Sequence, residues 1–297
     1  MSQPGTHRIA LALTLAARPS RIFQALLSPD DLRRWFCPHI STEAFKGGRY
    51  VFWGDESIAS MYTEGNGGGP IYGLEPGRNL WFTWQVSEYE TDVVYYVEAV
   101  APGESRLQLV HQGMPANLLL MDFWHLRLFA LRAYLEGREG PGWFLYLPQQ
   151  MEEVKLSLVI HATPAEVFRT LTDSERVGQW LGTTANIDPR VGGTYDLGWR
   201  DAEGYVAGAQ EILELIPERR MAYRWQMGSE VGAGDKVSWH LTREGNFTRV
   251  TLTHGTFSPD RDNRDYAQGW YQLLWALKYQ VEEGKSPLKV LEGSWSL

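Results

Sequence analysis

Cysteine is almost missing: Cys37 stands alone among 297 residues. One thiol cannot form an internal disulfide, and such cysteine usage suits a reducing compartment, so a cytoplasmic protein is expected. Excess positive charge is missing too. Lys and Arg number 28 against 36 Asp and Glu, a net charge of −8. Without a basic stripe there is no footprint for phosphate backbones, which argues against a nucleic-acid partner. No run approaches the ~18 apolar residues of a membrane span. The seven histidines are scattered singly, with no His-x-His or Cys-x-x-Cys spacing, so neither a metal nor another cofactor is expected. Gly65-Asn66-Gly67-Gly68-Gly69-Pro70 lacks the Gly-Lys-Ser of a phosphate loop and reads as a hairpin loop.

What the chain does contain is itself, twice. Residues 9–23, IALALTLAARPSRIF, return as residues 154–168, VKLSLVIHATPAEVF. At the same shift Trp35 meets Trp180, Gly47-Gly48 meets Gly192-Gly193, and Tyr50 meets Tyr195. Pro76, Arg78, Trp84 and Gln85 then match Pro217, Arg219, Trp225 and Gln226; His111 matches His254, and Trp124 matches Trp270. A period of this length is a domain rather than a solenoid repeat. The expected division is 6–137 and 151–284, with a connector at 138–150 and a tail at 285–297. The repeat also corrects two false leads. Arg8 followed by IALALTLAA imitates a signal peptide, but its mid-chain twin reads as a strand. Cys37 lies near His39, yet the second copy has Gly182 and Thr184 there. A pair present in one half only is a poor basis for nucleophilic catalysis.

Period-two alternation marks strands at 9–15, 80–85, 93–97 and 107–111, and in the second copy at 154–160, 221–226, 237–241 and 250–254. Pro19 and Pro164 open helices at the position that tolerates proline. Trp124, Leu128, Leu131 and Leu135 form one helical stripe, repeated by Trp270, Leu274, Leu277 and Val281. The acidic cluster at 260–265 reads as a solvated helix cap, and the tail after Gly284 carries no clear element. Trp143, Phe144 and Tyr146 make the connector aromatic. The order of strand, two helices, antiparallel strands and long helix is α+β.

These residues carry a family likeness. A strand followed by x-Pro-x-x-[Val/Ile]-Phe and a tryptophan about twelve residues on resembles the START-like (SRPBCC) superfamily. Gly-Gly-x-Tyr, a Pro-x-Arg turn before a strand ending in Trp, and Thr248 to His254 resemble its branch of activators of the Hsp90 ATPase. The resemblance implies two tandem helix-grip domains, each a curved antiparallel sheet wrapped around a long C-terminal helix with a cavity between them.

Strand parity then sketches the lining. Trp84, Tyr95, His111 and Trp124 are expected in the first cavity; Trp225, Trp239, His254 and Trp270 in the second. Large rings with one imidazole suit a small hydrophobic or aromatic ligand, bound without catalysis. They equally suit a plain aromatic core. Two other functions stay open. One is a protein-interaction module of chaperone-activator type, marked by an apolar patch shared by both halves. The other is an aromatase- or cyclase-like enzyme with His111 or His254 as general acid–base.

Overall fold

The computed structural model describes residues 6–54, 67–86, 89–115, 120–142, 151–200, 204–226, 234–255, 257, 263 and 266–291. The chain divides into two compact units, residues 1–146 with 287–296 and residues 147–286.

In the first unit, β1 (Thr6–Leu15) leads into α1 (Pro19–Leu27) and α2 (Pro29–Trp35), the latter capped by the Ser28 hydroxyl. Then follow β2 (His39–Thr42), β3 (Arg49–Trp53), β4 (Gly67–Glu75), β5 (Asn79–Val86), β6 (Tyr89–Ala101) and β7 (Glu104–Pro115). The helix α3 (Met121–Glu136) closes the unit and ends at Gly137 in the left-handed conformation. The second unit repeats the order. After β8 (Glu153–Ile160) come α4 (Pro164–Thr172), held by a Thr163/Glu166 capping box, and α5 (Ser174–Leu181), which ends at left-handed Gly182. The short β9 (Asn186–Ile187) and β10 (Tyr195–Asp196) form their own ribbon. β11 (Gly208–Ile216), β12 (Arg220–Gln226), β13 (Asp235–Glu244) and β14 (Phe247–Gly255) join β8 in an antiparallel sheet under α6 (Tyr266–Glu283).

Equivalent hydrogen bonds recur at equivalent positions. Gly47 N donates to Ile71 O at 2.7 Å and Gly192 N to Ile212 O at 2.8 Å; Ser105 Oγ reaches Ala17 O and Thr248 Oγ1 reaches Ala162 O, both at 2.7 Å. The α+β helix-grip architecture therefore holds in both units. The inward faces follow the strand parity. Leu80, Phe82, Trp84, Val93, Tyr95, Leu107, Leu109 and His111 are buried, and so are their eight second-unit counterparts. Each closing helix buries its tryptophan and two leucines of the stripe.

Four expectations need correction or bounding. The tail does form an element. β15 (Leu288–Val290) pairs antiparallel with β1, matching Leu11 with Val290 and Leu13 with Leu288, so the first unit's sheet has eight strands in the order β15-β1-β7-β6-β5-β4-β3-β2. Leu288 packs on that unit's core. Its pairing covers an edge that would otherwise expose unpaired backbone groups. The described part of the glycine run is strand rather than loop: Gly67, Gly68, Gly69 and Pro70 pair with Phe52, Val51, Tyr50 and Arg49; Gly65 and Asn66 lie outside the described residues. Gly68 has φ +79°, and a Cβ there would stand 1.9 Å from Tyr50 O. Close backbone approach, not flexibility, explains that glycine. Within the 260–265 cluster, Asn263 is buried, not solvated. Its amide donates to Met151 O at 2.7 Å and its carbonyl accepts from Met151 N at 2.9 Å. The rest of that cluster and Trp143, Phe144 and Tyr146 lie outside the described residues.

Gly68→Ala should therefore destabilise the first unit by about 2 kcal/mol or more, read as a lower urea midpoint. Gly142→Ala, where nothing lies within 4 Å, should change it by no more than about 0.5 kcal/mol.

Candidate functional site

Of the eight candidate residues, Trp124 and Trp270 stand on the closing helices and the other six on the strands; all are at 0–5% exposure. In each unit one contact ties helix to sheet. Trp124 Nε1 donates to His111 Nδ1 at 3.0 Å, and Trp270 Nε1 donates to His254 Nδ1 at 3.0 Å. An indole N–H can only donate, so Nδ1 must accept, and the neutral ring carries its proton on Nε2. The tautomer is thus assigned by the helix.

In the first unit the chain of bonds runs on to completion. His111 Nε2 lies 2.7 Å from Thr91 Oγ1, and Thr91 Oγ1 donates to Trp84 O at 2.6 Å. Trp84 stacks on the imidazole at 5.1 Å and 13°. Around this centre Phe36, Phe52 and Phe123 crowd in. Phe36 meets Phe52 at 4.9 Å, Phe52 meets Trp84 at 5.1 Å, and Phe123 meets Trp124 at 5.1 Å. The space under α3 is occupied by rings. Packing takes precedence over polar pairing here: the Tyr50 and Tyr95 hydroxyls and the Trp84 indole N–H are buried with no hydrogen-bond partner among the described residues. Burial pushes both phenols up and pushes His111 down to about 3. A general acid–base works best with a pKa near the ambient pH, and His111 does not have one.

The second unit is built differently around the same bond. Asp235 stands where the first unit has Thr91, as the pairings Val93↔His111 and Val237↔His254 establish. Its Oδ2 lies 3.6 Å from His254 Nε2, with side-chain exposures of 3% and 0%. Trp225 is tilted 60° to the imidazole instead of stacked on it, and its Nε1 donates to Tyr266 Oη at 3.1 Å. Trp199 meets Trp225 at 6.1 Å; Phe257 and Tyr266 lie 4.5 and 4.7 Å from His254. Gly208, at φ +89°, makes room, since a Cβ would come within 3.0 Å of the Trp225 ring. Trp239 donates to Tyr223 Oη at 3.1 Å and touches Trp270 at 6.1 Å. Asp235, Tyr266 and Trp199 are absent from the candidate set read from the sequence. Aligning the copies one turn further in each direction finds them, opposite Thr91, Leu120 and Gly54.

Cys37 and His39 both engage Trp53. The thiol donates to Trp53 O at 2.9 Å, and the imidazole stacks on the Trp53 ring at 5.8 Å. A surface cleft of about 300 Å³ lies between the start of α4 and the β13–β14 turn, lined by His161, Glu166, Arg243 and Phe247 among others. Phe247 and His254 are seven residues apart along β14, about 23 Å, so this cleft is separate from the aromatic centre. Among the described residues no group of three His, Cys, Asp or Glu is placed to hold a metal, and no helix is long and apolar enough to cross a membrane.

The depressed His111 has a pH consequence. The unfolded chain takes up a proton near 6.5, the native ring only near 3. The unfolded state therefore binds more protons between those values, and stability falls as pH drops through that window, by up to about 1.4 kcal/mol per pH unit. His111→Gln should flatten this slope in urea titrations run between pH 6.5 and 4. An unchanged slope would show that the ring does not stay neutral.

Comparison with known proteins agrees with this architecture. The family described as Activator of Hsp90 ATPase homolog 1-like protein matches residues 16–136 and again residues 161–282. Among solved structures, the chain is similar to the Aha1 dimer from Colwellia psychrerythraea, at 24% identity and a TM-score of 0.40, over 46% of this chain and 99% of that one. It is similar to CalU16 from Micromonospora echinospora at 18% identity and a TM-score of 0.37, over 45% and 85%. DynU16, a putative protein in the dynemicin biosynthetic locus, matches at 17% identity and a TM-score of 0.37, over 93% of this chain and 98% of that one. No curated protein matches the chain significantly. With two matched segments that together span most of its length, the chain belongs to the Activator of Hsp90 ATPase homolog 1-like family, carrying the domain in tandem.

Proposed function

We propose that the chain binds a small hydrophobic or aromatic ligand without catalysis, that the second unit holds it beneath α6, and that the first unit is a closed copy. One observation carries this reading. Phe36, Phe52 and Phe123 pack the first unit's interior, while the matching second-unit residues are Leu181, Leu197 and Gly269. Two rings become isobutyl groups and one becomes a hydrogen atom; in the first unit the three rings contact Trp84 and Trp124, the counterparts of Trp225 and Trp270. An apolar concavity with few polar groups is what small-molecule sites require. A second observation supports it. Trp35 Nε1 donates to Ala25 O at 2.9 Å, whereas its counterpart Trp180, at 5% exposure, has an indole N–H with no partner among the described residues. A ligand acceptor would satisfy it.

The test fills the space back in. A hydrophobic fluorophore such as 1-anilinonaphthalene-8-sulfonate or a neutral naphthalene should quench tryptophan emission in the native protein. Gly269→Phe should abolish that response with the melting temperature kept or raised, and Trp225→Ala should weaken it about tenfold. A native protein that no such probe perturbs is incompatible with the proposal.

A second reading, a chaperone-type interaction surface, has one observation in its favour. Tyr72, Trp81 and Tyr96 are 38–47% exposed on the outer face of the first unit's sheet, with Tyr72 and Trp81 in edge contact at 5.6 Å. The matching residues are Leu213, Ala222 and His240, and Ala222 is buried, so the halves do not share the patch. Stimulation of a purified Hsp90-type ATPase, lost in Trp81→Ala, would support this reading. No effect on the ATPase would remove it.

A further inference from the structure

We propose that the open edge of β8 docks another protein, which adds a short extended segment to the second unit's sheet with an aliphatic residue on the inner face and acidic residues on the outer face. This edge is available whether or not the second unit holds a ligand.

The twin strand shows what such an edge accepts. β1 lies between β7 and β15, whereas β8 is the last strand of its sheet and pairs only with β14 among the described residues. Side-chain burial follows this difference. Leu11 and Leu13 are 0% and 1% exposed, while their counterparts Leu156 and Leu158 are partly exposed. Leu291 N donates to Ala10 O at 2.9 Å and Lys289 lies opposite Ala12, so Ala10 and Ala12 turn their backbone polar groups toward β15. The matching residues of β8 are Lys155 and Ser157, both exposed. Further along the same edge α6 already meets the backbone. Lys278 Nζ donates to Val159 O at 2.7 Å, and His161 N donates to Glu282 Oε1 at 2.7 Å. The open stretch is therefore residues 153–157, which suits a segment as short as β15.

Side-chain chemistry selects the occupant. A segment seated on β8 as β15 is seated on β1 places one residue opposite Leu158, where Leu288 stands opposite Leu13. An aliphatic side chain there covers the apolar seam. The outer face differs between the copies. In the first unit Leu291 packs on Ala10, Val94 and Val110. Register puts Lys155, Ser238 and Thr253 at those places in the second unit, so the apolar seat becomes a polar one with a cation. An acidic residue in the position of Leu291 would lie opposite Lys155, and opposite charges across a strand pair attract. A second copy of β8 is a poor occupant, because it would bring another Lys155 to the same face. Charge of this kind is a common means by which edges reject their own kind.

The experiment measures fluorescence anisotropy at pH 7 and low salt, with the full chain and labelled peptides of residues 285–292. One peptide carries Lys289→Glu and Leu291→Glu; the other keeps Lys289 and carries Leu291→Lys. The acidic peptide should bind at least about threefold tighter. Ser157→Pro deletes one outward N–H, a change that edge strands tolerate, and should weaken binding about tenfold or more. In the wild type the acidic peptide should slow hydrogen exchange at the Lys155 and Ser157 amides and leave Leu156, which faces β14, unchanged. The affinity ratio and the exchange pattern decide the matter even if the proline variant fails to fold. Absence of binding, equal affinity of the two peptides, or binding that survives in folded Ser157→Pro would overturn the proposal. So would a dimer of the chain alone in analytical ultracentrifugation that Ser157→Pro disperses, since the edge would then belong to a second copy.

Discussion

One hydrogen bond organises each unit: the indole N–H of the closing helix to Nδ1 of the histidine on the last long strand, 3.0 Å in both copies. It joins the two layers at a point from which water is excluded, where an unmet donor would cost about 1–3 kcal/mol. It also sets the chemistry of what lies beyond. With Nδ1 committed, the histidine can address its other neighbour only through Nε2, and the residue on the adjacent strand decides what that means. Thr91 closes the chain of bonds in the first unit; Asp235 introduces a carboxylate in the second.

The rings around this bond follow the same division. In the first unit Trp84 lies flat on His111, and three phenylalanines fill the remaining space. That density comes at the expense of polar groups, since Tyr50, Tyr95 and Trp84 keep polar atoms in the core that are unmatched among the described residues. Area buried by such rings stabilises by roughly 25 cal/mol per Å², enough for an aromatic side chain to outweigh one unmet hydroxyl. In the second unit Tyr195 Oη instead donates to Leu171 O at 2.7 Å, and Tyr223 Oη accepts from Trp239. Its two core tyrosines find partners, and its ring packing is sparser.

Most of the architecture was legible because the chain repeats itself. The strand parity of Leu80–Trp84 or Val250–His254 is unambiguous, and a twin at the same offset removes the choice between leader and strand at residues 9–15. Three features were not legible for distinct reasons. β15 is three residues long and its partner β1 lies at the opposite end of the sequence, so no local pattern announces it. Gly67–Gly69 reads as a loop because glycine has low strand propensity; the close approach of Tyr50 and Thr83 that demands glycine exists only in the fold. Asp235 precedes the apolar run of its strand, where an acidic residue reads as a turn. Likewise, nothing in the spacing of Phe36, Phe52 and Phe123 tells that they meet.

Duplication explains how such different interiors can share one backbone plan. Glycine within a helix costs about 1 kcal/mol relative to alanine, and a buried carboxylate costs more; a single marginally stable domain tolerates few such residues. Here they are concentrated in one copy. Gly269 sits in the first turns of α6 and Asp235 on its facing strand, while the matching places in the other copy hold Phe123 and Thr91, both of which favour the folded state. Core positions at which the two copies differ in chemical character are the ones to read for function. In this chain the copy that lacks them supplies the reference, residue by residue, from which they can be recognised.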